Sequence, residues 1–300
     1  VVCALTRKIL ITGGSGQLGD SLQKLATPRG YFFSAVSRPE FDFLAPDSID
    51  SCFAAADPAL VINAAAYTAV DAAESHQAEA RAGNHTGPLR LAQLCAGANI
   101  PFIHVSTDYV FDGAKGAPYF EDDATAPTGV YGATKRDGEI AILNTDARAI
   151  ILRTAWVYAA HGKNFARTML NAARKTSTLR VVADQRGTPT AAPDLAAAIL
   201  DIAAVVFEGG WGEKYRGIFH ATGGGETTWH GFAKAIFAAA GMHPEVIPIA
   251  TADWPTPAKR PADSRLNCDK LAKTFGVRLP EWRDSLPGIV ADLQRMDAPC

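Results

Sequence analysis

Short apolar runs alternate with longer helical stretches through the first half of this chain, which narrows the possible folds sharply. The runs are "KILIT" (8–12), "YFFSAV" (31–36), "LVINAAA" (60–66), "PFIHVST" (101–107) and "AIILRT" (149–154). Each is brief and apolar, the pattern of a strand buried on both faces. Between them the residues fit helices over about 17–28, 47–57, 75–98 and 131–145. This β-α-β-α order predicts an α/β chain with a doubly wound parallel sheet, covered by helices on both faces. The second half is less regular. It suggests strands over 178–184 and 217–222, and helices over 194–207, 227–241 and near 284–296. The 227–241 helix has a threonine N-cap and stops at Gly241. A Pro-rich stretch covers 248–267, long enough to read as a functional loop.

At 300 residues the chain can hold one large α/β unit or two unequal lobes. The net charge is −2, with no basic stripe for nucleic acid and no polybasic segment for a membrane surface. No apolar run reaches the length of a membrane-spanning helix. Arg7 and Lys8 interrupt the apolar N-terminal residues, which read as a first strand and not as a signal peptide. The five cysteines (Cys3, Cys52, Cys95, Cys268 and Cys300) are scattered and form no CxxC, so reduced thiols in a cytoplasmic protein are expected.

"TGGSGQLG" (12–19) sets Gly13, Gly16 and Gly19 in a GxxGxxG spacing between a strand and a helix. Such a turn lets backbone N–H groups and the helix dipole face a pyrophosphate. The plainer alternative is a tight βα turn without a ligand. After the second strand, an NAD enzyme would offer an acidic residue to the adenosine ribose. This chain has Ser37 and Arg38 there, a hydroxyl and a cation suited to a 2′-phosphate. NADPH is therefore favoured over NADH, with a solvated Arg38 as the alternative. Asp42 and Phe43 follow and are candidates to hold the adenine.

"VYGATKRDGE" (130–139) places Tyr131 and Lys135 four residues apart, on one face of a helix. An ammonium beside a phenol favours the phenolate, so the Tyr131 pKa is expected to fall and the phenol to trade protons with a carbonyl or alcohol. The lysine could also hold a nicotinamide ribose. Such a pair is often a surface accident, but "STDYVFDG" (106–113) ends the fourth strand, where open α/β sheets bind ligands. Thr107 there could hold a carbonyl oxygen together with Tyr131. This is the Ser/Thr-Tyr-Lys constellation of short-chain reductases, in chain order.

With these pieces the chain resembles the dTDP-4-dehydrorhamnose reductases, a family of extended short-chain reductases. The matching strings are "GGSGQLG" (13–19), "INAAAYTAVDAAE" (62–74), "STDYVFDG" (106–113), "YGATKRDGE" (131–139), "RTAWVY" (153–158), "NFARTML" (164–170), "DQRGTPT" (184–190), "TTWHGFA" (227–233) and "RPADSRLN" (260–267). They span nearly the whole chain in the family's order. The resemblance implies a Rossmann-type fold with a smaller, interleaved C-terminal substrate domain. The dinucleotide-binding domain would take 1–155 and a return segment of about 191–225. The sugar-nucleotide domain would take about 156–190 and 226–300.

The resemblance further implies reduction of the C4 ketone of dTDP-4-dehydro-β-L-rhamnose by NADPH or NADH, with Tyr131 as proton donor. Thr107 would orient the oxygen, and Lys135 would hold the ribose. Gln17, Leu18, Ala64, Ala65, Ala66 and Asn84 would lie along the cofactor. Asp108 and Tyr109 would sit beside the sugar, and Thr68, Val70 and Trp156 would line the same pocket. Arg260 would grip the diphosphate, since a guanidinium pairs phosphate oxygens bidentately. Plainer readings stay open: Trp156 as core, Val70 as packing, Asn84 as a solvated helix residue and Arg260 as an unpaired surface arginine.

Some members of that family are described with Mg²⁺ shared at a dimer interface. The corresponding positions here include Ser21 and Pro193, with only Asp292 acidic. A hard cation wants several carboxylate oxygens, so no such metal is expected; a homodimer is left open. The seven histidines show no zinc-binding spacing. Two alternative functions remain at this level. One is reduction of another nucleotide-linked 4-keto-6-deoxysugar. The other is a non-catalytic NADP-binding role, like that of the regulatory subunit of methionine adenosyltransferase.

Overall fold

The computed structural model describes residues 8–296; Cys3, Arg7 and Cys300 lie outside them. The first half runs β1 (Lys8–Thr12), α1 (Gln17–Ala26), β2 (Phe32–Val36), α2 (Pro46–Ala56), β3 (Leu60–Asn63), α3 (Val70–Ala73), α4 (Gln77–Arg81), a π turn (Ala82–Thr86), α5 (Gly87–Ala98), β4 (Pro101–Thr107), α6 (Val130–Leu143) and β5 (Arg148–Thr154). The second half runs β6 (Val157–Tyr158), α7 (Phe165–Ala173), β7 (Thr178–Val182), β8 (Arg186–Gly187), β9 (Thr190–Ala191), α8 (Ala192–Gly209), β10 (Gly217–His220), β11 (Thr227–Thr228), α9 (Trp229–Ala240), β12 (Glu245–Ile249), α10 (Asp269–Phe275) and α11 (Trp282–Met296).

Six strands form one sheet in the order β10-β5-β4-β3-β1-β2, and every pair is parallel. Side chains alternate across it. Ile9, Ile11, Ile62 and Leu152 meet α1 and α8 on one face. Leu10, Val61, Phe102 and Ile151 meet α2 and α5 on the other. With both faces covered, the strands read as largely apolar runs, broken mainly by buried polar residues such as His104 and Ser106 on β4 and Arg153 on β5. The chain reverses direction across the sheet between β1 and β3. That places a crevice outside the carboxyl ends of these strands.

A second core gathers α7, α9 and α11 around Tyr158, Leu170, Phe232, Ile236, Trp282 and Leu286. Three short pairings, β6 with β9, β7 with β12 and β8 with β11, tie this region together. Thr228 caps α9 by accepting the Gly231 N–H, and Gly241 ends it at φ 66°, as expected. The segment around α10, expected with the smaller lobe, packs on the sheet instead. Leu271, Phe275, Val277 and Leu279 bury against the same core as Tyr215 and Phe219.

Two elements depart from the sequence reading for local reasons. β3 stops at Asn63 instead of running to residue 66, because the Asn63 side-chain oxygen Oδ1 accepts the Ala65 N–H (3.2 Å) and turns the chain out of the ladder. The helix expected over 75–98 starts at Gln77 and contains the π turn. Pro88 supplies no N–H and its ring clashes with the carbonyl four residues earlier, that of Asn84. The wider turn swings this carbonyl outward onto Gly138 of α6, where a Cβ would lie 2.0 Å from it.

Candidate active site

A cleft of about 820 Å³ opens at the carboxyl ends of the strands. Its first wall is the glycine turn. Gly13 has φ +73°, and a Cβ there would stand 2.7 Å from the Ala65 nitrogen, so only glycine lets β1 and β3 feed into one crevice. Gly19 lies beneath it, where a Cβ would meet the Gly13 carbonyl at 2.1 Å. Gly16 is the N-cap of α1 and offers no capping side chain. The first N–H groups of α1 thus remain available to an anion. Gly16, Gln17 and Leu18 line the cleft, as do Ala64, Ala65 and Ala66 opposite. Gly19 lies outside the lining and serves the close approach of α1 to the turn.

At the end of β2 the Ser37 hydroxyl accepts the Ser15 N–H (3.1 Å). Arg38 is exposed, and with Ser37, Asp42 and Phe43 it lines this end of the cleft. Phe43 packs edge-on to Phe41 (5.0 Å) and over Gly87.

Thr107 ends β4 and caps the turn Asp108–Val110 by accepting the Tyr109 N–H (3.2 Å). Its hydroxyl donates to Asp108 Oδ1 (3.0 Å). Tyr131 and Lys135 stand one turn apart on α6. Gly132 between them lets α6 press onto the Tyr109 carbonyl, which a Cβ would meet at 2.1 Å. The Tyr109 and Tyr131 rings meet edge to face at 5.5 Å. Thr107, Tyr131 and Lys135 all line the cleft.

The electrostatics differ from the sequence expectation. Burial pushes the Tyr131 phenol up to about 12, its hydrogen bond with Thr107 opposes this, and the Asp108 charge adds to it. Lys135 does not lower it. The lysine is itself 1% exposed, and burial pulls it down to about 8 against the raising effect of Glu139. Its nitrogen donates to the Val105 carbonyl (2.6 Å) and lies 3.4 Å from His104 Nε2. Asp108 is raised to about 6 by burial, and its Oδ2 has no partner among the described residues. Burial also raises the Tyr109 phenol. Beneath Lys135, Glu139 accepts from Ser106 (2.5 Å) and pairs bidentately with Arg153 (2.9 and 2.7 Å), all nearly sealed from water.

The far wall carries Thr68, Val70 and Trp156. Trp156 has φ 48°, an outlier for a bulky residue, and it is held there by packing. Its indole stacks on Trp229 at 3.5 Å and 7°, and a Cβ on Gly187 would strike it at 2.5 Å. Trp156 is half-buried: it packs against the second core and also lines the cleft.

Comparison with known proteins agrees with this geometry. Residues 7–295 match the family model described as RmlD substrate binding domain. The chain belongs to this family. It is 44% identical to a dTDP-4-dehydrorhamnose reductase of Sinorhizobium fredii, over 94% of this chain and 96% of that one. It is 38% identical to a Streptomyces antibioticus protein named a probable dTDP-4,6-dihydroxy-2-methyloxan-3-one 4-ketoreductase, over 97% of each chain. A crystal structure of the Bacillus anthracis dTDP-4-dehydrorhamnose reductase in complex with NADP superposes with a TM-score of 0.88. It is 30% identical and covers 95% of this chain and 99% of that one.

Within this RmlD-family cleft, two expected residues stand apart. Asn84 is fully buried, neither solvated nor in the lining. It accepts the Tyr67 N–H (2.9 Å) and donates to the Tyr67 carbonyl and the Thr134 hydroxyl (3.1 Å each). It thus shapes the loop that carries Thr68. Arg260 is not unpaired: both guanidinium arms bind Asp71 (2.8 Å each), and it does not line the cleft. Conversely, Ser15, Tyr67, Thr154 and Lys163 line the cleft without having been singled out. Ser15 sits inside the glycine turn, and Lys163 directly precedes "NFARTML", so both had a positional signal. Among the described residues no group of three or more His, Cys, Asp or Glu could hold a metal ion, and no helix is long and apolar enough to cross a membrane.

Proposed function

We propose that this chain reduces the C4 ketone of dTDP-4-dehydro-β-L-rhamnose to dTDP-β-L-rhamnose. The observation that carries the reading is the convergence of Thr107, Tyr131 and Lys135 on a cleft that begins at an uncapped, glycine-lined helix N-terminus. That cradle fits a dinucleotide, and a reduced nicotinamide would supply the hydride. Gly13, Gly16, Gln17 and Leu18 would hold its pyrophosphate through backbone N–H groups, and Ser37 and Arg38 favour a 2′-phosphate, hence NADPH before NADH. Asp42 and Phe43 would flank the adenine. Thr107 would orient the ketone oxygen and Tyr131 would give it a proton. With its pKa at about 12, the phenol holds that proton at neutral pH. Lys135 would hold the nicotinamide ribose and place its charge on the same helix face as the phenol. Asp108, Tyr109, Thr68, Val70 and Trp156 would enclose the sugar and exclude water.

The division of labour between a dinucleotide-binding sheet and a sugar-nucleotide lobe belongs to this reading, with 269–279 assigned to the sheet. So does a cytoplasmic location, where a pool of reduced nicotinamide is at hand. A metal-bridged dimer is not part of it: Ser21 spends its hydroxyl on the Gln17 carbonyl (2.9 Å) and Asp292 pairs with Arg295. The Streptomyces antibioticus relative supports a second substrate, another dTDP-linked ketosugar, in the same cleft.

The test follows reduced-nicotinamide absorbance with dTDP-4-dehydro-β-L-rhamnose made in situ, using NADPH and NADH, with and without EDTA. Turnover with NADPH that EDTA leaves unchanged is expected. Cofactor binding without turnover would remove the reading in favour of a different ketosugar or a non-catalytic role.

A further inference from the structure

A buried chain of side chains runs beneath the cleft and ends on Lys135. Thr12 at the end of β1 donates to Asn63 Oδ1 (2.5 Å). The same oxygen accepts the Ala65 N–H (3.2 Å). A backbone N–H can only donate, so the atom facing it is the amide oxygen, and the Asn63 orientation is settled. Asn63 Nδ2 then faces His104 Nδ1 at 2.8 Å as a donor. The ring must accept there, so Nδ1 is bare and the neutral imidazole carries its hydrogen on Nε2. That Nε2–H points at Lys135 Nζ, 3.4 Å away. An ammonium has no lone pair to receive it, whereas a neutral amine has one.

We infer that His104 is a positioning residue for Lys135, locked by Asn63 as the Nε2–H tautomer so that its ring disfavours the lysine's charged form. Asn63 and His104 are fully buried, as is Thr12, so water cannot substitute for any member. Burial and the Lys135 charge keep the imidazole itself neutral, well below its ordinary value. The other ionisable groups on the packed elements leave this role to His104. Glu139 on α6 opposes it but is shared with Arg153 of β5 and Ser106 of β4. Tyr131 lies one turn back, and Asp108 is engaged by Thr107. Glu74 accepts the Val130 N–H at the head of α6, while Arg81, His85 and Asp137 interact with one another away from the lysine.

The inference rests on the proposed reduction, in which the Lys135 charge faces the phenolate left when Tyr131 surrenders its proton. A lysine poised near the working pH can change charge during the cycle. His104 and Asn63 would then set the basic limb of the pH–rate profile without touching substrate.

Two measurements test this. In the full chain, with and without NADPH, nitrogen-15 NMR of labelled histidine should show His104 protonated on Nε2 and bare on Nδ1 across the neutral range. A ring carrying its hydrogen on Nδ1, or on both nitrogens, would overturn the inference whether or not the chain turns over. In the kinetic arm, Asn63→Asp keeps an acceptor toward Thr12 and Ala65 but presents an oxygen to His104. With the new carboxyl ionised, the ring turns its hydrogen to Nδ1, a change the same histidine NMR reads directly, and offers a bare Nε2 to the lysine, while the added negative charge acts in the same direction. The basic limb of kcat should move up by about one pH unit. Thr12→Val removes a buried hydrogen bond but leaves Asn63 held by Ala65, so its limb should stay in place. Equal limbs in native and Asn63→Asp enzyme would overturn the inference while leaving the reductase reading intact. No turnover in the native chain would instead remove that reading.

Discussion

The floor of the cleft hangs from strand ends, whereas its far side is held by contacts between segments remote in sequence. On the floor, Thr12, Asn63, His104, Ser106, Lys135, Glu139 and Arg153 are all no more than 3% exposed. Behind the far wall, Arg260 meets Asp71 and Thr251 donates to Asp184, both pairs partly in water, while Trp229 donates to the buried Gln185. The floor's polar groups depend on their partners because nothing else can satisfy them. The far side can lose a pair and recover part of it from solvent. A rigid floor suits groups that must hold a proton in place, and a looser wall suits a site that must admit a bulky nucleotide sugar.

The sharpest way to break this contrast is Glu139→Ala, which leaves the Arg153 guanidinium buried without its carboxylate. A loss of about 3–5 kcal/mol in denaturant unfolding is expected. A loss below about 1 kcal/mol would mean that water reaches Arg153 and that the floor resembles the far side.

Asp108 refines the contrast through pH. Its folded pKa is raised from 3.8 to about 6, so its contribution to stability is full below 3.8 and is lost as pH rises through about 6. Asp108→Asn lacks this loss. Its stability relative to the native chain should climb between these values and level off above them, measured by unfolding across pH. A flat difference would show that folding does not raise the Asp108 pKa.

Smaller effects belong to the far wall. Trp229→Ala removes the stack that props Trp156 and should raise the sugar KM by up to about tenfold with little change in kcat. An equal fall in kcat would assign Trp156 to the chemical step. Asp71→Asn should cost less than about 1 kcal/mol, since the pair with Arg260 is part-exposed. A larger cost would place that ion pair with the buried floor network.

The sheet was legible in the sequence because strands sealed on both faces show as largely apolar runs. The gathering of Thr107, Tyr131 and Lys135 was legible because each sits next to a strand end or on one helix face. What stayed hidden depends on side-chain partners that spacing alone does not report. Neither the early end of β3 nor the π turn is visible without knowing that Asn63 accepts from Ala65 and that the Asn84 carbonyl packs on Gly138. Arg260 looked free because Asp71, which fills its fork, is remote in sequence. The phenol was expected to be lowered because spacing reports the neighbour and not the burial, and here burial dominates. His104 was read only as a strand residue without metal spacing. Its role emerges once Asn63 fixes its ring.

The most direct test compares Tyr131→Phe with the native chain, measuring turnover of the dTDP-ketosugar and NADPH binding side by side. Loss of the proton donor should lower kcat by about 10²–10⁴-fold while NADPH still binds. A variant that turns over within a few-fold of the native chain would contradict the assignment of Tyr131 as the group that protonates the ketone.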